Sequence, residues 1–331
     1  MSMRGAIDVH AHYLPETYRS ALLENGHGQP DGFPQIPEWT AEEHVAAMDR
    51  LGIELSLLSI SSPGVHLGEA GATRDLAREM NDAGQRAVVD HPRRFGLLAS
   101  LPLPDVDAAM AEIAYCCDQL NVDGFTLLTN IGGTYLGDPA FAPVFDELDR
   151  RGSRVFIHPT SPACWEQTSL GRPRPMLEFF FDTTRTVVDL ILNGTVAHHP
   201  GLEFLIPHAG ATLPMVADRV SVFSLLLDVD PAVDVLRDLG RLHFDLAGFP
   251  LPRQLDALLT LTSLDHLHYG SDYPFTPEFA VAMSADRLAE VGQDPGSLLD
   301  ALRTNTSRLF PSFSTSTLAD QKDRSSHEPS A

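Results

Sequence analysis

Short runs of β-forming apolar residues alternate along this chain with longer stretches whose apolar positions recur at helical spacing. The strand-like runs are residues 5 to 10, Glu54–Ile60, Phe95–Leu101, Asp123–Leu128, Arg154–His158, Glu203–Pro207, His243–Leu246 and His266–Gly270. Several are rich in Val, Ile, Leu and Phe without strict alternation, the pattern of parallel strands buried on both faces. Between them the spacing predicts helices over Ala41–Leu51, Thr73–Val89, Asp105–Leu120, Phe141–Arg151, Met176–Leu192, Leu213–Leu227, Pro252–Leu261 and Glu278–Val291. In the first of these, Val45, Met48 and Leu51 form one apolar stripe, and Thr40 stands where an N-cap is needed. Pro63-Gly64, Gly132-Gly133 and Asp138-Pro139 punctuate the loops.

Eight β/α units over about 300 residues predict an α/β fold of the (β/α)8 TIM-barrel type. A doubly wound open sheet is the alternative, but the Gly-rich phosphate fingerprint that often marks it is missing after the first strand. No sequence repeat of roughly 20 to 50 residues is visible. The barrel is expected to occupy residues 1–311. Residues 25–39 carry Gly26, Gly28, Gly32, Pro30, Pro34 and Pro37 and follow strand one, so they would overhang the catalytic end. They read either as a passive surface loop or as a cover over a substrate. Residues 312–331 are Ser/Thr-rich and nearly free of large apolar side chains, which predicts a disordered tail.

In such a barrel, reactive groups sit at the C-terminal ends of the strands. Strand one ends in His10-Ala11-His12, strand five in His158-Pro159-Thr160, strand six in Pro207-His208-Ala209-Gly210, and strand eight in Gly270-Ser271-Asp272. Strand alternation would also bring Asp8 onto the face of His10 and His12. Imidazoles converging beside carboxylates suit a divalent transition metal at the C-terminal face. The expected ligands are His10, His12, His158 and Asp272, with Asp8 as a fifth, weaker ligand or as a partner of the ligands. The only lysine, Lys322, falls in the tail, so no carboxylated lysine can bridge two metals and a single cation is expected. His266 and His268 open strand eight, which places them away from the chemistry. His198 and His199 close a helix at the surface. His27, His91 and His243 have no strand-end partners, while His44 and His66 fall near catalytic-end loops. His44 is taken as a candidate substrate contact.

Net charge narrows the partners. At −22, the chain of 331 residues is a poor match for nucleic acid or an anionic membrane surface. It would also repel an anionic substrate unless a local positive charge, such as a metal, compensates. Three cysteines make no disulfide framework, and no apolar stretch resembles a signal peptide or a membrane span. A cytoplasmic protein is expected.

The motifs Ile7-Asp8-Val9-His10-Ala11-His12-Tyr13-Leu14-Pro15, His158-Pro159-Thr160, His208-Ala209-Gly210 and Gly270-Ser271-Asp272-Tyr273-Pro274 carry a family likeness. Over about residues 4 to 311 the chain resembles the metal-dependent amidohydrolase superfamily. The likeness is to the branch of aminocarboxymuconate-semialdehyde decarboxylase and γ-resorcylate decarboxylase. Met48-Asp49-Arg50-Leu51-Gly52-Ile53, Pro102-Leu103-Pro104-Asp105 and Arg174-Pro175-Met176-Leu177-Glu178 extend it toward bacterial 6-methylsalicylate decarboxylases. The resemblance implies non-oxidative decarboxylation of a small aromatic, salicylate-type carboxylate with release of carbon dioxide. One divalent metal per subunit is expected, with zinc first because it suits three histidines and a carboxylate, and manganese as the alternative. His208 and Asp272 are the candidates to deliver a proton to the ring carbon, directly or through a water relayed by His208. Arg219, eleven residues after His208, would reach the substrate of a neighbouring subunit in a homodimer or dimer-based oligomer. It reads equally as a helix arginine paired with a local acid. Phe275, Trp39 and Phe179 to Phe181 could wall an aromatic ring or simply fill the core. The competing functions are a metallohydrolase acting on a lactone or amide with Asp272 as base, and a barrel that binds without catalysis.

Overall fold

The computed structural model describes residues 3, 5–291 and 296–313, so the expected tail lies, from residue 314 on, outside the described residues. Eight parallel strands pair in chain order: β1 Ala6–His12, β2 Ile53–Ser59, β3 Phe95–Ser100, β4 Gly124–Leu128, β5 Arg154–His158, β6 Glu203–Ile206, β7 His243–Asp245 and β8 Leu267–His268. Bridges from Asp8 to Tyr269 and from Ala11 to Tyr273 join β1 to the segment leaving β8 and close the barrel. That closure disposes of the doubly wound alternative, whose sheet keeps two edges.

Both faces of the strands are buried, which is why they lack polar alternation. Inside the barrel Ile7, Val9, Leu55, Leu57, Leu98, Phe156 and Leu205 pack together, and Phe310 and Phe313 close the floor. A larger apolar shell fills the space between strands and helices. Each fully buried Leu or Phe contributes roughly 1.5–3 kcal/mol relative to exposure. The helix Ala41–Leu51 shows how local sequence sets its limits. Thr40 Oγ1 accepts a hydrogen bond from Glu43 N at 3.1 Å, and Gly52 ends the helix at φ 79°.

Besides short helices such as Trp165–Thr168 and Val235–Gly240, two longer ones were not anticipated. Glu16–Glu24 follows β1, and Ser297–Leu309 packs against the base of the barrel. The second buries Leu298, Leu302 and Leu309, a legible helical stripe, and its Asn305 amide donates to the carbonyls of Leu264 and Leu267. There, too, His268 Nδ1 meets Thr306 Oγ1 at 2.9 Å and His268 Nε2 lies 2.8 Å from His243 Nδ1. The His266–His268 pair therefore belongs to the floor, as its place at the start of β8 predicted.

One irregularity in β1 shapes the site. Asp8 pairs with Ser56 and Ala11 with Leu58, so three steps along β1 match two along β2. This extra residue is a bulge, and it changes the phase of the alternation. Ile7 and Val9 enter the barrel interior, and so does His10, whose ring packs on Phe156 at 4.8 Å.

Candidate metal centre

Nitrogens of His10, His12 and His158 and a carboxylate oxygen of Asp272 lie within 4.8 Å of one another at the C-terminal mouth. Each imidazole is oriented by a hydrogen bond from its outward nitrogen. His10 Nδ1 lies 2.9 Å from Asp245 Oδ2, His12 Nδ1 3.2 Å from the carbonyl of Ser59, and His158 Nδ1 2.7 Å from the carbonyl of Pro159. These contacts leave the Nε2 lone pairs for the centre, the usual support of a metal-binding histidine. His10 Nε2 is buried and has no hydrogen-bond partner of its own, standing 3.4 Å from Asp272 Oδ1. The four donors fit a divalent cation in number and type, and their free atoms face one another.

The electrostatics favour positive charge at this point. Burial pushes the His10 pKa down, yet the carboxylates of Asp245 and Asp272 outweigh it and hold His10 up at about 10. Burial pushes Asp272 up, but His10, His12 and His208 pull it well below the usual carboxylate range. His12 and His158 are shifted downward, first by burial. A cation here replaces a proton that the site already attracts.

Asp8 is not among the converging atoms. Its carboxylate accepts hydrogen bonds from Ser271 N at 3.0 Å, Ser271 Oγ at 2.5 Å and His10 N at 3.0 Å. The bulge removes it from the face of His10 and His12, so the fifth-ligand expectation is corrected: Asp8 fastens the β1 and β8 ends to each other. Asp272 N donates to the carbonyl of His10 at 2.7 Å, and Asp272 itself sits at φ 59°. This left-handed backbone costs on the order of 1–3 kcal/mol and is concentrated, as strain tends to be, at a functional site.

His208 reaches the same mouth. Its Nε2 lies 3.8 Å from Asp272 Oδ2, and its ring stacks on Phe180 at 5.7 Å. A cavity of about 340 Å³ opens above, lined by His158, His208, Asp272, Phe33, Phe179, Phe180 and Phe275. Three of the anticipated aromatics thus form walls. Trp39 and Phe181 do not: Trp39 packs on Tyr13, and Phe181 is about half exposed elsewhere. Pro30 and Asp31, within the 25–39 segment, also line the cavity, which places that loop over the mouth.

His44 is corrected as a substrate contact. It is buried outside the cavity, accepts a hydrogen bond from Trp39 Nε1 at 2.8 Å and packs on Tyr273 and Phe95. Burial, then the charges of His12 and Arg94, lower its pKa to about 3. An ordinary histidine titrates near 6.5, so the neutral ring contributes stability that is complete above pH 6.5 and is lost as pH falls toward 3. Urea unfolding between pH 7 and 4 should show the wild type losing its advantage over His44→Gln, by up to about 1.4 kcal/mol per pH unit. Parallel curves would count against this account. Arg219 is exposed on the helix Leu213–Ser224, over the Phe223 ring, and does not line its own chain's cavity.

Asp245 was missed. It is fully buried, orients His10, and accepts from the backbone N–H groups of His208 at 3.0 Å and Ala247 at 2.9 Å. The available signal was its place at the end of β7, the same rule that found the ligands. Asp245→Asn is expected to weaken metal affinity about 10- to 100-fold, read by chelator competition. Unchanged affinity would deny it the orienting role.

Comparisons with known proteins agree with this geometry. The amidohydrolase family model matches residues 7–311. The chain belongs to the amidohydrolase family. The 6-methylsalicylic acid decarboxylase of Aspergillus aculeatus is 34% identical, over 92% of this chain and 96% of that protein. A crystal structure described as an amidohydrolase II is 36% identical with a TM-score of 0.88, covering 93% of this amidohydrolase and 100% of the other chain. A dihydroxybenzoic acid decarboxylase from Polaromonas, solved with bound manganese and the inhibitor 2-nitroresorcinol, has a TM-score of 0.79. It covers 95% of this chain and 99% of its own, and at 18% identity that likeness concerns the fold. The resemblance read from the strand-end motifs is borne out, and so is the barrel.

Proposed function

We propose that this amidohydrolase decarboxylates a small salicylate-type acid, with 6-methylsalicylate the leading candidate. The observation that carries this is the metal-ligand cluster opening into an aromatic-walled cavity with His208 and Asp272 both on its lining. The similar Aspergillus protein supports the choice of substrate. A divalent cation held by His10, His12, His158 and Asp272 supplies Lewis acidity and neutralises anionic charge. Phe33, Phe179, Phe180 and Phe275 hold the ring and keep water from it. His208 Nε2 and Asp272 Oδ2 stand 3.8 Å apart on the cavity lining, and one of these two groups delivers the proton to the carboxyl-bearing ring carbon. The bond to the carboxylate then breaks, its electron pair restores the aromatic ring, and carbon dioxide leaves.

Incubating the metal-loaded chain with 6-methylsalicylate should consume its ultraviolet band and release one carbon dioxide per molecule. Lactone opening without carbon dioxide release would replace this reading with the hydrolase. Zinc suits three histidines and a carboxylate, whereas manganese occupies the Polaromonas neighbour. Elemental analysis of protein purified without added metal decides between them.

A homodimer is the assembly we infer. Around Arg219, the exposed apolar side chains Met215, Val222, Phe223, Leu225 and Leu226 form a face too apolar for solvent. Light scattering should report two chains for the wild type and one for Leu226→Glu; a monomeric wild type would overturn the inference. Among the described residues no helix is long and apolar enough to cross a membrane. The three free cysteines support a reducing compartment, the cytoplasm.

A further inference from the structure

Beside the metal centre lies a second, larger cavity of about 530 Å³ over the ends of β2, β3 and β4. None of the metal ligands lines it, and Asp31 is the one residue it shares with the cavity above the metal. A partition separates the two: Ser62 Oγ lies 2.7 Å from Thr160 Oγ1, and the Ser161 hydroxyl donates to Asp31. Volumes of about 300–1,000 Å³ are those of small-molecule sites. Ile60, Leu101 and Leu128 make apolar walls, and two polar groups converge on the space.

The first is Arg174. It is partly buried, its Nε donates to Ser161 Oγ at 3.1 Å, and its guanidinium lies 4.2 Å from the Trp165 ring centre. Among the described residues no carboxylate forms an ion pair with it and its terminal nitrogens have no hydrogen-bond acceptor; Asp31 is linked to it by way of Ser161 and otherwise acts on it only through space. A partly buried guanidinium with no ion-paired carboxylate can receive an anion, and stacking on Trp165 fixes its plane for two-point contact with a carboxylate. The second group is Thr126, a lining residue 5% exposed, whose buried Oγ1 has no hydrogen-bond partner.

We propose that this cavity is a second binding site for an aromatic monocarboxylate, with the acid group on Arg174 and the ring between the apolar walls. The aromatic acid as ligand class rests on the decarboxylase reading. The site would hold the acid reactant but not the phenol left after decarboxylation, which carries no carboxylate for Arg174.

Calorimetric titration of the full-length, metal-loaded chain with benzoate tests this, with phenol as the uncharged control. Arg174→Met should bind one benzoate fewer per chain than the wild type, and Arg174→Lys should regain it more weakly. Thr126→Val should weaken the same site about tenfold, and phenol should not compete for it. Equal benzoate counts in wild type and Arg174→Met overturn the proposal. If circular dichroism shows Arg174→Met to be unfolded, benzoate affinities unchanged by Thr126→Val overturn it instead. A chain that loses one benzoate with Arg174→Met but releases no carbon dioxide from any salicylate refutes the decarboxylase alone. A chain that decarboxylates with equal counts refutes the second site alone.

Discussion

Asp272→Asn is expected to lower decarboxylation of 6-methylsalicylate at least about 10³-fold while the barrel stays folded. Asp272 serves twice: one oxygen faces His10 and His12, and the other faces His208 at 3.8 Å. Losing a positioned proton-transfer group costs typically 10²–10⁴-fold, and losing an anionic ligand adds to it. Asparagine is the informative replacement because it keeps the side-chain shape and tolerates the left-handed backbone at φ 59°. An alanine there would mix loss of charge with backbone strain. Initial rates of carbon dioxide release, with metal content and circular dichroism measured on the same preparation, check the claim. A variant keeping more than a tenth of wild-type turnover would remove Asp272 from the reaction.

Gly270→Val is expected to destabilise the barrel and to scatter the ligands. Gly270 stands just before the Ser271-Asp272 turn, where the chain passes against β1 and β7. A Cβ there would lie 2.9 Å from His10 Cβ, 3.1 Å from Asp245 Cγ and 3.2 Å from Ala247 Cβ. None of these is the loose end of a flexible side chain, so room must come from movement of the backbone or of the His10–Asp245 pair. Overpacking of this kind costs about 1–3 kcal/mol, which lowers Tm by several degrees in a domain of this size, at roughly 2–4 °C per kcal/mol. Metal affinity should fall with it, because His10 loses its orientation. Scanning calorimetry and chelator competition measure the two effects; a Tm within about 1 °C of wild type with full metal affinity contradicts the packing argument.

The parts of this molecule legible in the chain were those governed by repetition. The strands could be found because double-sided burial removes polar residues from them. Their order and parallel sense place every C-terminal end at one mouth, so the chain order alone brings His10, His12, His158, His208 and Asp272 together. Asp245 obeyed the same rule and was overlooked because a lone aspartate at a strand end carries no motif. The helix Ser297–Leu309 was missed although its stripe of Leu298, Leu302 and Leu309 is ordinary.

By itself, then, the sequence determined the barrel, the end that bears the chemistry and the donors of the cation site, because each follows from the period of a strand and the direction of the chain. Only the tertiary structure decided the phase of β1, which turns Asp8 away from the metal. It alone gave His44 to Trp39 rather than to a substrate, made walls of Phe33, Phe179, Phe180 and Phe275, and set Arg174 over a second cavity. Periodicity is a local property that a chain carries with it, whereas a bulge, a ring's neighbour and the filling of a cavity depend on what distant segments place opposite.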